Sequence, residues 1–151
     1  MPKQDEVRAA LEEMPYGLYI VGSYQGDHIN AMMADCLMQV SFSPRLVAIA
    51  LENDSRSLEN VRESGVFSAN LLAEDSMDLA AKFAQPYKSE KIKGRPDELS
   101  GQVFDKLDGV DYTIGETGCP ILEKAVAWIE CKVDRELSIG DHALVVGLVL
   151  G

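Results

Sequence analysis

The sequence predicts a mainly β, single-domain barrel with flanking helices. Three observations lead there. The run Asn30–Leu51 has only Asp35 and Arg45 as charges, and its β-branched residues and central Ser43-Pro44 suit two successive strands broken by a turn. Two further apolar segments, Gly17–Ser23 and His142–Leu150, stand beside turn signals at opposite ends of the chain. Finally, 151 residues suffice for one core and are too few for two ordinary domains, so residues 1–151 are read as a single domain. The balance of 46% hydrophobic and 26% charged residues is that of a soluble globular protein and excludes wholesale disorder.

Taken in order, Val7, Ala10, Leu11 and Met14 recur at helical spacing over Asp5–Met14 before Pro15, which predicts a short amphipathic helix packed on the barrel. Gly17–Ser23 alternates and meets Gln25-Gly26-Asp27, the signature of a hairpin leading into the Asn30–Leu51 run. Within that run buried strands are expected, and the polar residues Asn30, Asp35, Gln39, Ser41 and Ser43 must be paired there, with the protein itself or with something it holds. After the strand Val47–Leu51, Ser55 or Ser57 can cap a helix beginning near Leu58, which Gly65 would end. A helix start directly after a buried strand, with Arg56 beside it, suits a phosphate, although the serines could equally be caps alone.

Val66–Leu72 reads as a strand and Asp75–Ala84 as a second helix. Periodicity is then lost. Lys88, Lys91, Lys93 and Arg95 form a basic loop in an otherwise acidic chain, either simply solvated or able to attract a phosphorylated dinucleotide. In Ile121–Leu137, Val126, Trp128, Glu130 and Lys132 alternate with Ala127, Ile129, Cys131 and Val133, as in a barrel strand. A turn is expected over Asp134–Asp141 and a final strand over His142–Leu150.

The net charge of −11 argues against non-specific nucleic-acid binding. No apolar stretch is long enough for a membrane span and no secretory signal is visible, so a cytoplasmic, non-membrane protein is expected. The three cysteines, Cys36, Cys119 and Cys131, are scattered and only His28 and His142 accompany them, which disfavours disulfides and metal sites. A thiol catalyst built from Cys36 or Cys119 with His142 has no local signature to support it. Neither a dinucleotide-binding glycine fingerprint nor a phosphate-binding P-loop is present.

One resemblance runs through these segments. Asn30-Ala31-Met32-Met33-Ala34-Asp35-Cys36, then Gln39–Phe42, Pro44 and Leu46–Ile49, then Gly65, Phe67, Asn70 and Leu72, resemble in order and spacing the FMN-binding split-barrel family of flavin reductases. Leu79–Ala84, Cys119–Leu122 and Gly140-Asp141-His142 continue the likeness, which spans roughly Gly17–Gly147. The resemblance implies an FMN-binding split β-barrel using NADH or NADPH as hydride donor, with reduced flavin or its electrons passing to a monooxygenase or other electron-acceptor protein. The competing implication is an FMN electron carrier with no pyridine nucleotide site. Carried over by position, it implies flavin contacts at Met33, Ala34, Asp35 and Cys36, along Ala50, Asn53, Ser55, Arg56 and Ser57, and at Lys82, Phe83 and Ala84. It places His142 on the hydride-donor side as the catalytic residue. Met33 stands where the family usually has threonine and Asp35 where it has serine or asparagine, which removes a hydroxyl and brings a carboxylate near the flavin. A homodimer is also implied, the more so because the sequence ends at Gly151, where relatives often continue.

Overall fold

The computed structural model describes residues 3–15, 17–34, 36–84 and 107–151. Among these, one seven-stranded antiparallel sheet dominates. Its strands are β1 (Tyr19–Gln25), β2 (His28–Ala34), β3 (Leu37–Phe42), β4 (Arg45–Glu52), β5 (Val66–Leu71), β8 (Ala127–Ile139) and β9 (His142–Val149). They are ordered β2-β1-β5-β8-β9-β4-β3, and a small separate ribbon pairs β6 (Tyr112–Ile114) with β7 (Pro120–Leu122). The sheet curls without closing, and its two edges, β2 and β3, are consecutive in the chain. Three helices accompany it among the described residues: α1 (Gln4–Glu12), α2 (Arg56–Ser64) and α3 (Met77–Phe83), the last preceded by a 3-10 turn at Glu74–Ser76. The expected β1–β2 hairpin is present, with Gly26 at φ 57° making its turn, a conformation side chains with a Cβ rarely adopt.

Two apolar clusters explain why β1 is buried on both faces. Val21 points to one side, with Val47, Ile49, Leu51, Phe67, Cys131 and Val145 of the sheet and Leu58 and Val61 of α2. Its neighbour Ile20 points to the other, with Ala31, Leu72, Leu122, Leu107 and the α3 residues Ala80 and Phe83. Period-two alternation thus serves two cores at once. Asn70, fully buried in β5, fastens β7 onto the sheet: its amide donates to the carbonyl of Ile20 at 3.1 Å and its Oδ1 accepts from the Leu122 amide at 2.9 Å.

Three expectations are corrected. Helix α1 forms, but none of its residues is buried and Val7, Leu11 and Met14 are exposed, so it does not pack its apolar stripe on the barrel. Strand β3 forms after the expected pattern but is an edge strand with no buried residue; Met38 is 65% and Phe42 85% exposed, whereas β4 and the Asn30, Ala31 and Ala34 positions of β2 carry the buried character of the run. Strand β8 does not end before Asp134: it continues to Ile139, absorbing the interruption as a bulge between Val133 and Arg135, and the turn shrinks to Gly140-Asp141. Asp35 and the Lys88–Arg95 loop lie outside the described residues.

Close packing sets a sharp limit at Gly147 of β9. A Cβ there would stand 2.6 Å from Cζ of Phe67 and 2.9 Å from the Cβ of Cys131. Both neighbours are fully buried and cannot swing away. Gly147→Ala should therefore lower unfolding free energy by about 1–3 kcal/mol in urea titrations, whereas an exposed change such as Val7→Ser should shift it by less than about 0.5 kcal/mol.

Candidate functional site

The ladder between β4 and β9 runs from Leu46↔Leu148 to Glu52↔His142, so the end of β4 and the start of β9 finish side by side. The turn after β4 is then tied to the β8–β9 turn. The Asn53 amide nitrogen donates to the Asp141 carbonyl at 3.0 Å and its Nδ2 donates to the Gly140 carbonyl at 3.1 Å. At the same end the Cys36 carbonyl accepts from the Ala50 amide at 3.2 Å. Cys36, Ala50, Asn53, Ser55, Arg56, Ser57 and His142, predicted from separate segments, are thereby assembled at one end of the sheet.

Ser55 is the cap of α2, its Oγ accepting from the Leu58 amide at 3.1 Å, and Gly65 ends the helix in the left-handed region at φ 74°. Ser57 is buried instead, and its Oγ accepts from Asn30 Nδ2 at 3.2 Å. One turn along, Asn60 Nδ2 donates to Ser23 Oγ at 3.1 Å. Ser23 and Asn30 are cross-strand partners in β1–β2, so four buried polar residues fix α2 on the hairpin. The Asn60 Oδ1 is buried and has no hydrogen-bond partner, a group that ordered water would satisfy. This answers what the polar residue heading the Asn30–Leu51 run bonds to: it holds the helix whose start faces the site. The start itself brings together the positive end of the helix dipole and the Arg56 guanidinium, which pairs with Glu59 at 3.1 Å.

His142 Nδ1 lies 2.6 Å from Asp141 Oδ1. The hydrogen bond and charge of the imidazole hold the Asp141 carboxyl below its ordinary pKa. That leaves Nε2 as the ring nitrogen not engaged by Asp141. On the other flank, Ala34 is buried in the core with Val47 and Ile49, while Met33 packs against the second cluster beside α3. Phe83 is itself buried in that cluster, so its side chain serves the core rather than a ligand. Lys82 donates from Nζ to the Asp108 carbonyl, and Ala84 is the cap residue at the end of α3. Ala34 shares its cluster with Leu58 and Val61 of α2 and so links the two flanks, whereas Met33, Lys82, Phe83 and Ala84 lie in or beside α3.

For Cys119 the thiol alternative loses its chemistry. Burial pushes the Cys119 thiol up to about 11 and Cys131 up to about 12, so neither is a nucleophile near neutrality. Cys36 is exposed, and its carbonyl accepts from the Ala50 amide. Among the described residues, no group of three or more His, Cys, Asp or Glu is placed to hold a metal ion.

Comparison with known proteins agrees with this geometry. The flavin reductase-like domain model matches residues 11–151, and the chain belongs to that family. It is 34% identical over 140 residues to a ferric-chelate reductase (NAD(P)H) of Archaeoglobus fulgidus, covering 91% of this chain and 75% of that protein. Among solved structures, the NADH:FAD oxidoreductase SgcE6 of Streptomyces globisporus superposes with a TM-score of 0.80 at 27% identity, covering 100% of this chain and 83% of that one. BorF, the flavin reductase component of a bacterial two-component tryptophan halogenase, superposes with a TM-score of 0.78 at 27% identity, covering 99% and 86%. The split-barrel fold and the oxidoreductase class expected from the resemblance are thus shown, in preference to a carrier without a nucleotide site.

Two outcomes follow from the site's packing. In the native protein only one of three thiols, Cys36, should react with a disulfide reagent at pH 8, and all three once unfolded; Cys36→Ser should abolish the native reaction. Asn30→Ala should cost about 1–3 kcal/mol of stability by leaving its buried partner unsatisfied, measured by urea unfolding.

Proposed function

We propose that this protein binds FMN at the end of the sheet where α2 starts, and accepts hydride from NADH or NADPH as a flavin reductase. The observation that carries the reading is the juxtaposition of a capped helix start with the Asp141–His142 pair, held together through Asn53. The residues present fit the cofactor. A helix start with Ser55 and Arg56 suits a terminal monophosphate, and half-buried Ala50 adds only a small side chain at that end of the sheet. Met33, Asp35 and Cys36 at the β2–β3 corner, and Lys82 and Ala84 beyond it, are the remaining candidates for contact, Ser57 and Phe83 acting through the backbone. When bound, the flavin supplies the redox chemistry, accepting hydride and passing electrons onward. The protein's part is to hold the phosphate, orient the ring and present His142 to the nucleotide.

The Lys88–Arg95 loop supplies concentrated positive charge for a dinucleotide, as its composition suggests. Reduced flavin or its electrons then go to a separate acceptor protein, in keeping with the halogenase reductase component it resembles. A homodimer is part of the reading: Met38, Val40 and Phe42 of edge strand β3 are all exposed, and with a bulge between Gln39 and Ser41 they leave apolar groups on both faces of that edge, which a second copy would cover.

The protein should take up FMN, and anaerobic NADH or NADPH should bleach its absorbance within seconds to minutes. Reduction by dithionite but by neither nucleotide would return the carrier reading. Ser55→Ala should weaken FMN more than riboflavin, by about three- to tenfold for one lost cap and phosphate partner. Equal loss for both ligands would reduce Ser55 to a cap. His142→Ala should slow hydride transfer with little change in FMN affinity. Sedimentation at micromolar concentration should show a dimer, and Phe42→Asp should shift it toward monomer.

A further inference from the structure

We infer that Asn53 is a positioning residue for His142, acting across the β8–β9 turn rather than as a flavin ligand. The assignment rests on the reading of His142 given above, and deepens it. Three observations support it. The Asn53 side chain commits its Nδ2 to the Gly140 carbonyl at 3.1 Å, while its backbone amide donates to the Asp141 carbonyl at 3.0 Å. These are the two residues immediately before His142, and Gly140 sits at φ 51°, a turn with little backbone restraint of its own. The opposite end of α2 is tied to the same hairpin, Arg62 Nη2 meeting Glu136 Oε1 at 2.5 Å, in register with Val145 of β9.

The helix segment therefore grips the β8–β9 hairpin at two points. The Arg62–Glu136 contact is partly exposed and lies away from the tip, so it orients the hairpin as a whole. Asn53 acts at the tip itself. With both carbonyls engaged, the peptide planes on either side of Asp141 are fixed, and with them the direction from which Asp141 Oδ1 meets His142 Nδ1. The donor geometry also explains why this position holds an amide. A carboxylate would face the Gly140 carbonyl with no proton to donate, and a shorter side chain would not span the gap between the turns.

The test compares Asn53→Ala and Asn53→Asp with the parent protein and needs two readouts. In flavin-free protein, amide hydrogen exchange at Asp141, His142 and Ala143 should accelerate about five- to tenfold in both variants, the consequence of losing one hydrogen bond. In FMN-loaded protein, both should slow reduction by NADH several-fold at saturating nucleotide while changing the FMN dissociation constant less than twofold. The double variant Asn53→Ala/His142→Ala should be no slower than His142→Ala alone, because a positioning residue has nothing left to position. Weakened FMN binding with unchanged exchange would make Asn53 a direct ligand and overturn the inference. Additive losses in the double variant would overturn it as well. If His142→Ala leaves hydride transfer intact, the reading of His142 fails, whereas the exchange measurement still decides whether Asn53 holds the turn. Arg62→Ala serves as control: it loosens the hairpin away from the tip and should leave exchange at Asp141 and His142 within twofold of the parent.

Discussion

The site depends on one constraint, the unbroken antiparallel register of β4 against β9. Seven successive pairs carry Leu46 opposite Leu148 through to Glu52 opposite His142. A slip of one residue would reverse the faces of every side chain in β4, sending Val47, Ile49 and Leu51 out of the core. That penalty, several buried aliphatic side chains at roughly 1.5–3 kcal/mol each, is what locks the ladder. Because it is locked, the chain leaving β4 emerges beside the chain entering β9, and residues ninety positions apart in sequence share a turn. The functional end therefore takes its precision from a core that contains none of its chemistry.

Helix α2 illustrates how such a frame is completed. Its buried face carries Leu58 and Val61, which anchor it by burial, but also Ser57 and Asn60, which bond Asn30 and Ser23. Apolar contacts alone are non-directional and would tolerate a rotation or slide of the helix. Buried hydrogen bonds would not, since each broken one leaves a desolvated group behind. The polar pairs thus fix where the helix starts, and the apolar pairs supply the attraction. A similar division appears at Glu130, a buried carboxylate that accepts from the Thr117 amide at 2.9 Å and the Glu116 amide at 3.3 Å, holding the loop that leads into β7.

Much of this was legible in the sequence because the relevant signals are local. The Gln25-Gly26-Asp27 turn, the Ser55 cap and the Gly65 stop each depend on a few adjacent residues, and all three are found where the pattern places them. Burial was less legible. The apolar stripe of α1 and Met38, Val40 and Phe42 of β3 have the composition of core segments, yet Val7, Leu11 and these three are exposed. Composition reports that a surface is apolar and not what meets it, so an exposed edge strand and a buried strand read alike. The bulge in β8 was missed for a related reason: Asp134-Arg135-Glu136 looks like a solvated turn, and only pairing with Val145 and Val146 turns it into strand. For the predicted site residues, sequence pattern leaves side-chain orientation open. Ser57 and Phe83 are expected as flavin contacts from the resemblance, but their side chains are buried in the protein.

The Asn53 contact shows why orientation is the harder inference. In sequence, Glu52-Asn53-Asp54-Ser55 is four polar residues before a helix, and any of them could face a phosphate. What separates Asn53 is a carbonyl eighty-seven residues away, presented by a glycine turn that local pattern identifies only as a turn. An amide can serve either as ligand to an anion or as clamp on a carbonyl, and its Nδ2 here has taken the second role. Positive charge at the helix start then falls to Arg56 and the helix dipole, so the groups there need not also hold the hairpin. Exposed hydrogen bonds of this kind contribute little to global stability, about 1 kcal/mol or less. Their effect is local, on a turn that the core does not reach and on the imidazole that follows it.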